Sequence, residues 1–223
     1  MTRSLSILVD LDSTLVEILP KWLDWSWQLR EGGAPRPTIA DITEWNSPHL
    51  DLPVLKMPNF FANLPPMPGG LGAMRKLHDA GHRITVCTAP ASPESAMHKL
   101  IWVREHLSFL NYKHTIITQK KELVAADVLI DDSPSMHKAY RAAHGASYIA
   151  SIQFPYHTEK SYNLINCLAP SWDKPIPAWE LIVDGIEKYA AGAINDRCTH
   201  PQVDRGNEFS LDRCSTCYKE VYG

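Results

Sequence analysis

Hydrophobic positions along the chain form short uncharged runs that alternate with helical spacings. Residues 5–9 carry no charge, which predicts a strand buried on both faces of a parallel sheet. Four further runs predict strands over 83–87, 114–118, 127–130 and 147–150. Apolar spacings between them predict helices over 69–80, 93–107 and 135–144, followed by a loop-rich stretch over 151–177 and a closing helix over 179–191. This alternation predicts an α/β fold with a doubly wound parallel sheet.

A long segment without sustained periodicity separates the first predicted strand from the others. Residues 16–30 have helical spacing, with Pro20 near the start, and predict a helix rich in tryptophan. Residues 38–67 are punctuated by prolines and contain scattered aromatic side chains. A connection of this length in a compact domain is usually functional, such as a cap over a site. We expect a small, mainly helical cap over 16–67, inserted in a core of residues 1–15 and 68–192.

Composition places the 223 residues among ordinary globular chains. Hydrophobic residues make up 44% and charged residues 21%, a balance that argues against wholesale disorder. The formal net charge of -3 and the lack of a polybasic run argue against a general role on nucleic acids or membrane surfaces. Because no apolar stretch suits a signal peptide or a membrane span, we expect a soluble, cytoplasmic protein.

Polar side chains suited to catalysis follow four of the predicted strands. They are Asp10 and Asp12, Thr88, Lys121, and the pair Asp131 and Asp132. The stretch from Asp10 to Ser13 alone could be an ordinary turn after a strand, because Asp and Ser are common turn residues. The carboxyl ends of parallel strands lie at one edge of a sheet, so we expect these side chains to converge. Carboxylates, an ammonium group and a hydroxyl suit phosphoryl transfer with a divalent cation such as Mg²⁺.

The C-terminal segment, residues 193–223, contains a second candidate site. Cys198 and His200 form one close pair, and Cys214 and Cys217 form another. Three sulfurs and one imidazole are the ligand number and type of a structural, tetrahedral Zn²⁺ site. We therefore predict a zinc-binding tail, and the alternative is an untethered tail with free thiols.

The polar groups at the strand ends resemble the four motifs of the haloacid dehalogenase (HAD) superfamily of phosphatases. The matching elements are Asp10-x-Asp12-x-Thr14, a hydrophobic strand followed by Thr88, then Lys121, and a hydrophobic strand followed by Asp131-Asp132. Residues 59–69, 99–107 and 129–132 are in addition similar to the 5'(3')-deoxyribonucleotidases of that superfamily. The resemblance implies a HAD-like, Rossmann-type core and Mg²⁺-dependent hydrolysis of deoxyribonucleoside or ribonucleoside 5'-monophosphates.

The resemblance also implies a role for each matching residue. Asp10 would attack phosphorus to form an aspartyl-phosphate, while Asp12 would protonate the leaving oxygen and then activate the hydrolytic water. Mg²⁺ would bind the Asp10 carboxylate, the Asp12 backbone carbonyl and Asp132. Asp131 would be a further ligand or a partner that orients Lys121. The residues that hold the phosphate would be Thr88 and Lys121.

Some positions depart from the pattern that is usual in this subfamily. They are Ser13 in place of glycine, Ala89 in place of a hydroxyl residue, Gln119 near an expected basic residue, and Ile18 near an expected aromatic one. Base and sugar preference are therefore open, and another small phosphate ester is an alternative substrate. A second alternative is a zinc-ribbon module that binds nucleic acid or protein on an α/β scaffold, although the acidic net charge counts against it. The expected partner is a nucleoside monophosphate, not a membrane or a nucleic acid, and a homodimer is left open.

Overall fold

The computed structural model describes residues 2–30, 35–42, 47–145, 148–153, 165–168 and 175–193. Its strands are β1 (Ser6–Val9), β2 (Arg83–Thr88), β3 (Ile116–Ile117), β4 (Val128–Ile130), β5 (Tyr148–Gln153) and β6 (Ile165–Leu168). Its helices are α1 (Leu19–Gln28), α2 (Gly70–Asp79), α3 (Pro93–His106), α4 (Pro134–His144) and α5 (Ile176–Ala190). Short 3-10 turns cover Ile39–Asp41, Leu52–Lys56, Tyr112–His114 and Lys121–Leu123. The predicted alternation of strands and helices is confirmed.

The strands form one parallel sheet in the order β3-β2-β1-β4-β5-β6. This order reverses beside β1, because the chain first runs outward through β2 to β3 and then continues with β4 on the other side. Open α/β sheets bind their ligands at such a reversal, outside the carboxyl ends of the strands. The predicted parallel α/β sheet is confirmed, and its topology brings the ends of β1 and β4 side by side.

Alternate side chains of β1 enter two separate apolar clusters. Ile7 and Val9 belong to the larger cluster of buried residues. Leu8 belongs to the smaller one, together with Leu129 of β4 and Ile149 of β5. Both faces of the sheet are therefore covered at β1, as its uncharged sequence predicts.

The structure adds a strand to the stretch 151–177, which the sequence predicts to be loop-rich. β5 continues to Gln153, and β6 pairs with it in parallel. The sequence signal is weak because β6 is four residues long, contains the polar Asn166, and lies at the edge of the sheet. An edge strand does not need the continuous aliphatic sequence of a strand with neighbours on both sides.

Other predicted boundaries differ from the structure by up to three residues, chiefly those of β3, α1 and α5, which begins at Ile176 and not at the predicted residue 179. β3 is shorter than the predicted strand over 114–118, because the preceding residues form a 3-10 turn. α1 begins at Leu19 rather than at residue 16, since Val16 instead forms isolated bridges with Asp12 and Pro66. None of the helices in the described ranges combines the length and the apolar character that crossing a membrane requires.

Two hydrogen bonds join α3 to the C-terminal part of the segment 16–67. The indole Nε1 of Trp102 donates to the Leu64 carbonyl at 2.9 Å. The Asn59 amide donates to the Glu94 carboxylate at 3.2 Å, in the first turn of α3. Apolar side chains of this segment also join the larger buried cluster that contains those of β1. The segment is therefore packed on the core, and its function as a cap stays a prediction.

Candidate functional site

Three buried carboxylates meet where β1 and β4 end. The Asp10 amide donates to the Ile130 carbonyl at 2.8 Å, which extends the pairing of β1 with β4 by one residue. This bond places Asp10 beside Asp131 and Asp132, which directly follow β4. Ligand oxygens of the three carboxylates lie within 4.8 Å of one another, and all three residues are buried. The convergence predicted from the strand ends is therefore present for these residues.

Lys121 supplies positive charge to this group of carboxylates. It is buried and lies at the start of the 3-10 turn that follows β3. Its Nζ lies 2.6 Å from Asp10 Oδ1 and 2.6 Å from Asp131 Oδ2. An ammonium group has three N–H donors, and the third has no partner among the described residues. Lys121 therefore binds two of the carboxylates and keeps one donor for a ligand.

Burial raises the pKa of Asp10 from 3.8 to about 8. Loss of hydration is the largest cause, the Lys121 ammonium lowers the pKa, and the carboxylates of Asp131, Asp12 and Asp132 raise it further. Burial lowers the pKa of Lys121, but the nearby charges of Asp10 and Asp131 outweigh it, so that the pKa is raised overall. Lys121 is therefore an ammonium at neutral pH, and this single charge does not fully stabilise the ionised Asp10.

This charge imbalance fits a site for a divalent cation. Carboxylate oxygens are the ligands that Mg²⁺ prefers, and the three oxygens are close enough to share one ion. A cation beside Asp10 would favour its ionised form and so lower its pKa. The donor set, the separation and the excess negative charge all suit Mg²⁺.

The turn after Asp12 is tight and explains why glycine is usual in the resembled subfamily at the position of Ser13. The amides of Leu15 and Val16 both donate to the Leu11 carbonyl at 2.8 Å. Ser13, inside this turn, has a left-handed φ of 55°. That conformation costs an L-residue about 1 kcal/mol, whereas glycine adopts it freely. The backbone here thus suits the usual glycine, and Ser13 also buries a hydroxyl that has no partner in the described part of the chain.

Lys99, on α3, is a site residue to which neither the sequence pattern nor the family resemblance assigned a role. Its side chain is 2% exposed. Its Nζ donates to Asp12 Oδ2 at 2.5 Å, to Thr88 Oγ1 at 3.3 Å and to the Ala89 carbonyl. Its ammonium also lies 4.5 Å from the centre of the Phe61 ring. Lys99 therefore joins two of the predicted site residues, Asp12 and Thr88.

A pattern on α3 could have revealed this lysine. The buried residues of the helix are Ser95, Lys99, Trp102 and Val103, which follow the spacing of one helical face. A lysine on the buried face needs a charged or polar partner. The sequence shows the position but not the partner, because Asp12 lies 87 positions away in the chain.

The predicted residues at the strand ends fall into two contact groups. The first contains Asp10, Asp131 and Asp132 with Lys121, and the second contains Asp12 and Thr88 with Lys99. The catalytic roles inferred for these residues stay predictions. The predicted zinc ligands are all outside the described residues, namely Cys198, His200, Cys214 and Cys217. The zinc site therefore also stays a prediction.

Comparison with known families finds a match over most of the chain. The profile described as "5' nucleotidase, deoxy (Pyrimidine), cytosolic type C protein" matches residues 3–174. The human 5'(3')-deoxyribonucleotidase of cytosolic type is 29% identical over 157 residues, which are 61% of this chain and 74% of the human protein.

Bacterial relatives and one solved structure are also similar. A Bordetella bronchiseptica protein, provisionally named a 5'(3')-deoxyribonucleotidase, is 30% identical over 145 residues, 60% of this chain and 77% of that protein. A Staphylococcus aureus protein of the same provisional name is 35% identical over 140 residues, which are 60% of this chain and 76% of that protein. A HAD hydrolase from Entamoeba histolytica covers 69% of this chain and 85% of its own, at 11% identity and a TM-score of 0.43, which is too weak to assign a fold.

Proposed function

The chain belongs to the cytosolic type C family of 5' nucleotidases, and on this premise we propose that it hydrolyses nucleoside 5'-monophosphates to nucleoside and phosphate. The resemblance to 5'(3')-deoxyribonucleotidases is confirmed, and the protein is a phosphoric monoester hydrolase. One observation carries the proposal: Lys121 bridges the buried carboxylates of Asp10 and Asp131, beside Asp132, at the reversal of the sheet.

Asp10 is the nucleophile in the proposed reaction. Its carboxylate forms a bond to phosphorus while the bond from phosphorus to the ester oxygen breaks, and Asp12 gives its proton to that oxygen. Water then attacks the phosphorus of the aspartyl-phosphate and gives a proton to Asp12, while the bond from phosphorus to the Asp10 oxygen breaks, which releases phosphate and regenerates the Asp10 carboxylate. The different surroundings of the two carboxyl groups support this division of roles. The side chain of Asp10 is 9% exposed, whereas that of Asp12 is 25% exposed and can meet a leaving group that enters from solvent.

The residues proposed to hold Mg²⁺ are the carboxylates of Asp10 and Asp132 and the backbone carbonyl of Asp12. When bound, the ion supplies positive charge that offsets the phosphate and the carboxylates. Thr14 Oγ1 donates to Asp132 Oδ1 at 3.4 Å and so helps to orient that carboxylate. Asp131, in turn, accepts the Ser133 amide at 2.9 Å and contacts Lys121, which supports a role as the partner that orients this lysine.

The substrate phosphate is proposed to bind Thr88 and Lys121. Lys121 suits this task because one of its N–H donors has no partner in the described ranges and its charge attracts an anion. Thr88 lies at the end of β2, on the same edge of the sheet, and its buried hydroxyl contacts Lys99.

Release of inorganic phosphate from a panel of monophosphates tests this function. The panel contains ribo- and deoxyribonucleoside 5'- and 3'-monophosphates and several sugar phosphates, each measured with Mg²⁺ and with EDTA. We expect the highest kcat/KM for a nucleoside 5'-monophosphate and no turnover in EDTA. Faster turnover of the sugar phosphates would reject the nucleotide assignment and favour the other small phosphate ester.

Further parts of the proposal concern regions around this site. We propose that residues 16–67 cap the site, a role supported by their contacts with α3. We also propose that residues 193–223 bind one structural Zn²⁺, on the ligand types in the sequence alone. A cytoplasmic location stays a prediction, and a homodimer stays open.

A further inference from the structure

Lys99 has no N–H donor left for a substrate. Its three donors are directed at the Asp12 carboxylate, the Thr88 hydroxyl and the Ala89 carbonyl. The Phe61 ring, at 4.5 Å, covers a further side of the ammonium. Lys121 is different, because one of its donors has no partner in the described part of the chain. Of the two buried lysines, Lys121 is therefore the one equipped to bind a phosphate.

The orientation of Asp12 depends on Lys99. Among the described residues, Lys99 is the only hydrogen-bond partner of the Asp12 side chain, through Oδ2. The other oxygen, Oδ1, is buried and has no partner in the described ranges. A carboxyl group held through one oxygen loses its fixed orientation when that contact is removed.

We propose that Lys99 is a positioning residue that orients Asp12 for proton transfer to the leaving oxygen and does not itself bind the substrate phosphate. The inference rests on the proposed function, in which Asp12 is the general acid. The rigid attachment of Lys99 to the fold supports this inference. Lys99 lies on a helix of 14 residues whose start is fixed by a reciprocal Ser92–Ser95 capping box, and its side chain is enclosed by Phe61.

The proposal predicts that loss of Lys99 slows the hydrolysis of different substrates to different extents, depending on whether the leaving group needs a proton. A nucleoside leaves as an alcohol and needs a proton, whereas p-nitrophenolate is stable enough to leave without one. The value of kcat/KM reports the steps up to the formation of the aspartyl-phosphate, so it isolates this proton transfer from the later attack of water. A positioned general acid typically contributes about 100-fold or more to the rate.

The experiment compares the full-length wild type with Lys99→Met, which removes the ammonium but keeps a similar side-chain length. For the best nucleoside monophosphate we expect kcat/KM to fall about 100-fold, and for p-nitrophenyl phosphate less than about 5-fold. The inhibition constant of inorganic phosphate should stay within about threefold of the wild-type value, since phosphate binding is intact. Equal losses for both substrates, or a much weaker inhibition by phosphate, would overturn the proposal.

Two controls separate positioning from general structural damage. Trp102→Phe removes the bond from α3 to Leu64 but leaves Lys99 in place, and it should change kcat/KM for both substrates by the same factor. If circular dichroism shows that Lys99→Met is unfolded, Lys99→Leu, which likewise leaves Asp12 without its hydrogen-bond donor, takes its place under the same criteria. Failure of the wild type to hydrolyse any nucleotide would instead reject the proposed function. The alkyl phosphate that it hydrolyses best would then serve for the Lys99 comparison.

Discussion

Replacing Asp10 by asparagine should stabilise the metal-free protein while it abolishes turnover. Folding raises the pKa of Asp10 from 3.8 to about 8, so the folded protein binds a proton that the unfolded chain releases between these values. Stability that depends on this proton is present at low pH and is lost as pH rises from about 4 to 8. At one pKa unit per 1.36 kcal/mol, the ionisable carboxyl lowers the stability at pH 7 by about 4 kcal/mol.

Asp10→Asn removes this titration and keeps the size of the side chain. Part of the gain is offset because Lys121 loses one of its two carboxylate contacts. We therefore expect a net stabilisation of about 2 kcal/mol at pH 7, or an increase in Tm of roughly 4 to 8 °C for a chain of this size. At pH 5 the gain should be smaller, because ionisation of the Asp10 carboxyl in the unfolded chain, where its pKa is 3.8, then favours unfolding by less than it does at pH 7.

Thermal unfolding followed by circular dichroism in EDTA, at pH 5, 7 and 8.5, measures this effect. Asp184→Asn is the matched control, because the Asp184 side chain is 51% exposed on α5 and its one ion pair within the described ranges is with the half-exposed Lys188. Its Tm should stay close to that of the wild type at each pH. Added Mg²⁺ should raise the Tm of the wild type more than that of Asp10→Asn. Parallel pH profiles for wild type and Asp10→Asn, or a lower Tm for Asp10→Asn at pH 7, would refute the reasoning.

Three further predictions concern the phosphate site, the turn and the tail. Lys121→Met should lower kcat/KM roughly a thousandfold and weaken inhibition by phosphate, and a loss without weaker inhibition would contradict its role in phosphate binding. Ser13→Gly should raise the stability measured by thermal unfolding by about 1 kcal/mol. Ser13→Ala keeps the strained left-handed backbone and should raise the stability by less, so equal stabilisation by the two variants would contradict the proposed backbone strain. Cys214→Ser combined with Cys217→Ser should remove bound zinc, measured by elemental analysis, and leave nucleotide hydrolysis largely intact. Elemental analysis that finds no zinc in the wild-type protein would refute the zinc site.

The central strands could be predicted because their environment constrains their sequence strongly. β1 and β4 have neighbours on both sides and buried faces, so only uncharged aliphatic residues fit there. β6 has one neighbouring strand, and its Asn166 breaks the pattern on which the prediction depends. A strand is therefore easier to predict from sequence when protein covers it on more sides, as it covers β1 and β4.

The site residues could be predicted where topology alone brings them together. Asp10, Asp131 and Asp132 directly follow parallel neighbours, so their approach follows from the strand order. Lys99 projects from the middle of a helix, and its partner depends on how α3 packs on the sheet. No sequence spacing encodes that packing, and the resemblance to known phosphatases did not assign it a role.

The contacts of α3 restrict where the chain can tolerate insertions and deletions. Glu94, Lys99 and Trp102 contact, in turn, the segment 16–67, Asp12 and that segment again. They are spread over about 12 Å of helix at a rise of 1.5 Å per residue. Inserting or deleting one residue between Glu94 and Lys99 would rotate the two ends of the helix by about 100° relative to each other. Natural variation in length should therefore fall in the loops on either side of α3, while the helix itself keeps a constant number of residues.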